Sequence, residues 1–96
     1  MIASFGDRGT ADLYHARSTA RARRIPPDVA DTALRKLDVL EAALNLDDLR
    51  SPPGNRLEAL QGNLAGWHSV RVNVRWRLIF RWEEDAAHDV MLVDYH

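Results

Sequence analysis

The chain contains no cysteine. That excludes a disulfide framework, a thiolate nucleophile and a zinc–thiolate site. Long apolar runs are missing too, and none approaches the roughly 18 residues of a membrane span. Residues 1–10 lack the apolar stretch after a basic start that a secretory signal requires. There is no phosphate-cradling glycine loop, no serine nucleophile elbow, and no His-x-x-x-His or carboxylate spacing that suggests a metal site. Lysine is nearly absent: of thirteen basic residues twelve are arginine, and only Lys36 is lysine. The expectation is a soluble, cytoplasmic protein without metal or cofactor and without a membrane partner. Its 96 residues form one domain, 1–96, long enough to bury a core without staples.

A formal net charge of −1 by itself argues against a strong nucleic-acid binder. The charges are segregated, however. Residues 14–25 carry Arg17, Arg21, Arg23 and Arg24 with no acid, and residues 49–82 carry six arginines against Glu58 alone. The acids gather in the middle of the chain and in residues 83–94. A near-neutral chain with charge so segregated can still present one basic face. Arginine suits planar, bidentate phosphate recognition, although an arginine-rich codon usage produces the same excess.

Alternating apolar residues predict an edge strand over residues 1–5. A short helix follows over 10–17 with Leu13 and Tyr14 inward, then a basic loop or frayed helix over 18–24. Pro26 and Pro27 mark a helix start, and Asp28 and Asp31 suit its positive end. Val29, Ala33, Leu37, Leu40 and Leu44, widened by Ala30 and Leu34, recur at helical spacing and predict a core-facing stripe, with Arg35, Lys36, Asp38 and Glu41 outward. A short helical turn over 45–50 ends at the Ser51-Pro52-Pro53-Gly54 break.

The second half reads as strands over 56–60, 68–72, 76–82 and 89–95. The phase of alternation slips between Val74 and Trp76. A loop of Asn73, Val74 and Arg75 repairs it, placing Val72 opposite Trp76, Val70 opposite Leu78 and Arg71 opposite Arg77. Like charges facing each other on a sheet are destabilising, so a carboxylate or a bound anion is expected beside them. Asp94 is the candidate carboxylate and a phosphate the candidate anion. Two solvated arginines with a local acid partner are the plain alternative. His96 lies close to the terminal carboxylate, which favours its protonated form. Cleavage of a phosphodiester by its own 2′-hydroxyl needs a base, an acid and cations on the phosphate. His96, Arg77 and Arg71 supply those roles without metal.

Several segments together carry a resemblance to a known family. They are the opening Met-Ile-x-Ser-Phe, residues 48–60 (DLRSPPGNRLEAL), Gly62-Asn63, residues 68–73 (HSVRVN), Trp76-Arg77-Leu78 and the closing Val93-Asp94-Tyr95-His96. The chain resembles the HigB branch of the RelE/ParE toxins, most closely its GraT-like members. The resemblance implies an α+β, RelE-like (microbial-RNase-like) fold: an antiparallel sheet with two to three N-terminal helices packed on one side. It implies the toxin of a type II toxin–antitoxin system that enters the ribosomal A site, against 16S rRNA, and cleaves mRNA. It also implies a HigA-like helix-turn-helix antitoxin, with operator DNA reached only through that antitoxin. Arg77, Asp94, Tyr95 and His96 match positions that carry activity. Glu58 and Gln61 stand where other members place His and Lys, so Glu58 is a candidate base or a partner for Arg56. Arg56, Arg71, Gln61 and Asn73 are the candidate RNA- and ribosome-binding residues. Two other readings remain at this level: a ParE-like gyrase poison, and a catalytically weak toxin that serves as an antitoxin-bound co-repressor.

Overall fold

The computed structural model describes residues 1–94. Helices α1 (Arg8–Tyr14), α2 (Ala20–Arg23) and α3 (Pro27–Ala42) precede strands β1 (Glu58–Ala59), β2 (Trp67–Arg71), β3 (Trp76–Glu83) and β4 (Ala86–Asp94). The strands form one sheet in the order β1-β2-β3-β4. Every neighbouring pair is antiparallel. The fold class is α+β, as the sequence implied.

The stripe of α3 holds through Val29, Ala33, Leu37 and Leu40, all buried. They meet Val70, Val72, Leu78, Phe80, Val90 and Leu92 from the sheet in a single cluster. Leu44 is a correction: it is 80% exposed. The helix stops at Ala42, Ala43 turns to extended backbone, and Ala43 takes the buried place. Lys36 is a second correction. Its side chain is half-buried and turned to one partner, its ammonium donating a short hydrogen bond to Asn55 Oδ1. Burial depresses the Lys36 pKa, with the neighbouring Arg35 adding to it.

Asn55 is fully buried, and its amide also donates to the Leu49 and Ser51 carbonyls at 3.1 and 3.2 Å. It ties the 3₁₀ turn at Leu46–Arg50 to the approach of β1. Arg56 follows in the left-handed region at φ 44°, so the predicted strand over 56–60 is cut to Glu58–Ala59. Asn55→Ala is expected to cost about 1–3 kcal/mol, because it leaves a half-buried ammonium and two carbonyls without a partner. Urea denaturation of the variant checks this.

The first helix starts earlier than the sequence suggests, because the Asp7 side chain caps it by accepting from Thr10 N at 2.7 Å. The basic stretch after it is ordered by one buried acid. Asp12 accepts from Thr19 Oγ1 at 2.8 Å and pairs with Arg21 at 3.2 Å and Arg17 at 3.5 Å. The Thr19 hydroxyl, supported by Arg21 and Arg17, holds the Asp12 carboxyl below its usual pKa against the opposing effect of burial. A lowered folded pKa stabilises above the unfolded value and is lost as pH falls through the folded one. The α1–α2 corner is therefore expected to loosen only in acid below the ordinary carboxylate range. Asp12→Asn should remove that dependence in a circular-dichroism pH titration.

Residues 1–5, expected as an edge strand, lie beside β4 as two parallel bridges, Ile2 to Ala87 and Phe5 to Val90, and not as a full strand. Beyond them Leu92 N donates to Thr10 Oγ1 at 2.9 Å, so α1 continues the cover over the β4 edge. Gly6 sits where these segments meet: an added Cβ would lie 2.6 Å from Met91 Cγ and 2.8 Å from the Asp89 carbonyl. β4 begins at Ala86, before the predicted start, and carries a bulge opposite Ile79–Arg81 with Asp89 at φ 54°. Arg81 clamps that bulge, bonding Asp89 at 2.7 and 3.0 Å.

Candidate active site

The β2–β3 hairpin has the register that the slip of phase predicted. Val70 pairs with Leu78 and Arg71 with Arg77, and Val72 N donates to Trp76 O at 2.9 Å. The turn is shaped by Asn73, whose Oδ1 accepts from both Arg75 N and Trp76 N at 2.8 Å. Of the residues proposed to meet RNA, Asn73 thus has its carbonyl oxygen engaged in the turn.

Directly paired residues share a face of an antiparallel sheet. Leu78, Leu92 and Val70 point toward α3. The opposite face carries three rows: Arg71, Arg77 and Val93; Glu58, Ser69, Ile79 and Met91; and Trp67, Arg81 and His88. Within the first row the Cβ atoms of Arg71 and Arg77 are about 4.5–5.5 Å apart by pairing geometry. Among the described residues neither arginine has an acidic partner. Lone arginines are not rare in this chain, since Arg8, Arg23, Arg24, Arg35 and Arg56 also form no ion pair among the described residues, but only Arg71 and Arg77 face each other across a strand pair. Arg17 and Arg21 bind Asp12, Arg50 binds Asp47, Arg75 binds Asp94, and Arg81 binds Glu83 and Asp89. Arg77 Nη1 is buried and has no hydrogen-bond partner among the described residues. A buried donor beside a like charge, neither met by an acid among the described residues, has the chemistry to receive an anion.

Glu58 is exposed and stands opposite Ser69, one row from Arg71. A diagonal of that kind spans about 7–8 Å. Arg56 is exposed just before β1, and its left-handed backbone removes it from the strand's alternation. Gln61 is exposed at the start of the 3₁₀ turn Gly62–Leu64, further from the arginine row than Glu58. Asp94 is a correction. It pairs with Trp76, on the α3 side of the sheet, and its carboxylate meets Arg75 at 2.8 Å rather than the Arg71–Arg77 pair. The bulge in β4 sets which β4 residues share that row, and Val93 takes the place beside Arg77. Tyr95 and His96 lie outside the described residues.

Trp67 is half-buried on the same face and opposite Arg81, a place readable from its i, i+2, i+4 spacing with Ser69 and Arg71. His68, on the other face, stacks on Phe80 at 6.1 Å. Burial lowers its pKa, and Nδ1 has no partner among the described residues, so it belongs to the packing of the core. Among the described residues no group of three or more histidine and carboxylate side chains is placed to hold a metal ion. No helix of the described residues is long and apolar enough to cross a membrane. A cleft of about 400 Å³ lies elsewhere, lined by residues 2–5, Tyr14, His15 and Glu41. It contains none of the described residues singled out for the chemistry.

Comparison with known proteins follows the same line. A family model described as the RelE-like toxin of the type II toxin–antitoxin system HigB matches residues 3–96. Toxin HigB-1 of Vibrio cholerae is 45% identical over 87 residues, covering 91% of this chain and 90% of its own length. Endoribonuclease HigB of Proteus vulgaris is 26% identical over 96 residues, the full length of both. Among solved structures, a YoeB–YefM complex from Staphylococcus aureus superposes with a TM-score of 0.63 at 14% identity, covering 100% of this chain and 98% of that one.

Proposed function

The chain belongs to the HigB-like family of RelE-like type II toxins, and from that premise we propose that it cleaves mRNA on the ribosome with the Arg71–Arg77 row as its phosphate site. It is an endoribonuclease toxin of a type II toxin–antitoxin system. Residues 1–96 act as one toxin domain. The observation that carries the phosphate site is the pair of directly opposed arginines without an acidic partner among the described residues.

The chemistry follows from what that site offers. The 2′-oxygen of a nucleotide attacks the adjacent phosphorus while the 5′-oxygen leaves, giving a 2′,3′-cyclic phosphate and a free 5′-hydroxyl. Charge builds on the non-bridging oxygens of the pentacovalent phosphate. Arg77, supported by Arg71, stabilises that charge most where it is greatest, in the transition state. One proton must leave the 2′-hydroxyl and one must reach the 5′-oxygen. Glu58, one row away and exposed, takes the first, and His96 gives the second. Tyr95 and Asp94 complete the site, Asp94 by holding Arg75 at the hairpin tip. Arg56 and Gln61 contact RNA or rRNA backbone at the approach to β1. None of these roles calls for a metal.

The partner that restrains the toxin is a HigA-like helix-turn-helix antitoxin, and operator DNA is reached through it. The place of action is the ribosomal A site in the cytoplasm.

Binding to ribosomes should weaken steadily with salt, since each phosphate contact releases condensed counterions. Arg71→Ala is expected to lower the slope of log affinity against log salt by about 1. Sedimentation of the variant with ribosomes at several salt concentrations checks it, and an unchanged slope removes Arg71 from the phosphate site.

A further inference from the structure

The cleft lined by residues 2–5, Tyr14, His15 and Glu41 has a strand edge as one wall. Ala3 N donates to Ala87 O at 2.7 Å, Gly6 N to Val90 O at 2.9 Å, and Val90 N to Ser4 O at 3.0 Å. In this parallel pattern the amides and carbonyls of the bridging residues, Ile2 and Phe5, point away from β4. Ile2 N is met by Glu41 Oε2 at 3.0 Å. The amide and carbonyl of Phe5 have no hydrogen-bond partner among the described residues. Paired strands rarely leave such groups idle beside a cavity.

The other walls are aromatic and acidic. The Phe5, Tyr14 and His15 rings lie 5.4–5.7 Å from one another at tilted or edge-on angles. Glu41 and Asp38 both act on the Tyr14 hydroxyl, raising its pKa beyond what its burial does. Neither acid forms an ion pair among the described residues. Ring faces beside a carboxylate that has one backbone donor and no ion pair among the described residues attract an ammonium or guanidinium.

We propose that this cleft is the docking site for an extended segment of the antitoxin that carries a basic side chain. The segment pairs with the Phe5 amide and carbonyl as an added strand. Its cation lies against the Tyr14 and His15 rings and the Glu41 carboxylate. The proposal rests on the reading that a cognate antitoxin binds this chain. It shares no residue with the Arg71–Arg77 row, so seating at the cleft leaves that row's own side chains unengaged.

The test uses the toxin with its purified cognate antitoxin. Glu41→Gln keeps an oxygen to accept from Ile2 N and removes only the charge, and Glu41→Arg reverses it. The expected result is a loss of antitoxin affinity of about tenfold for Glu41→Gln and more for Glu41→Arg. Ribosome-dependent cleavage by either free variant should match the wild type. Hydrogen exchange at the Phe5 amide should slow in the wild-type complex relative to the free chain. Unchanged affinity in both variants, with Phe5 exchange equally fast free and bound, overturns the cleft while the antitoxin reading stands. A wild-type chain that binds no antitoxin overturns both.

Discussion

Arg77→Ala is expected to slow mRNA cleavage about 100-fold or more. The reason is the place of Arg77 on the sheet. It faces Arg71 across the hairpin, and its buried Nη1 has no acceptor among the described residues. Losing one donor to a developing oxyanion costs about 2.7–4 kcal/mol in comparable sites. Because that donor matters most when the phosphorus is pentacovalent, the loss should fall on kcat more than on KM. The fold should survive, since the substitution removes a repulsion between like charges along with the side chain. Single-turnover cleavage of a programmed ribosome complex measures the rate, with circular dichroism as the folding control. A variant that cleaves at the wild-type rate removes Arg77 from the mechanism.

Leu37→Ala should have the largest effect on stability. Leu37 is fully buried at the middle of the α3 stripe and belongs to the cluster that joins α3 to Val70, Leu78, Phe80 and Val90. Truncation there loses apolar burial and leaves a cavity, a combined cost of about 2–5 kcal/mol. For a chain of this size that lowers Tm by roughly 10 °C or more. Calorimetry checks it, and a shift of only a degree or two would mean that α3 is not seated on the sheet as described. The consequence reaches the proposed phosphate site, because the sheet surface that carries Arg71 and Arg77 is the reverse of the one Leu37 packs against.

The hairpin was legible because its two strands alternate cleanly. Trp76, Leu78, Phe80 and Trp82 share one side and Arg77, Ile79 and Arg81 the other, so one slip of phase fixed both the loop and the Arg71–Arg77 pairing. The face of Asp94 was not legible in the same way. Val90, Met91, Leu92 and Val93 are all apolar and show no alternation, and the bulge at Asp89 shifts the phase before Asp94 is reached. Leu44 fits the helical spacing, but nothing in the stripe marks the turn at Ala43 that ends the helix first. Lys36 looks solvent-facing on a helical wheel; its partner Asn55 is nineteen residues away. The same holds for Asp12, which gathers Arg17, Thr19 and Arg21 from the segment after it. Such partners depend on where a chain turns, which residue types and spacing do not state. The cleft at Phe5 needs the two ends of the chain side by side, an encounter that no local pattern announces.

The central claim is that this fold carries a phosphate site for cutting RNA on the ribosome. The most direct test is primer extension on an mRNA translated in a purified system with the wild-type protein added. Cleavage is expected within the codon held in the A site, none on the same mRNA without ribosomes, and almost none with Arg77→Ala. Intact mRNA at full inhibition of growth, together with blocked DNA supercoiling by gyrase, would contradict it.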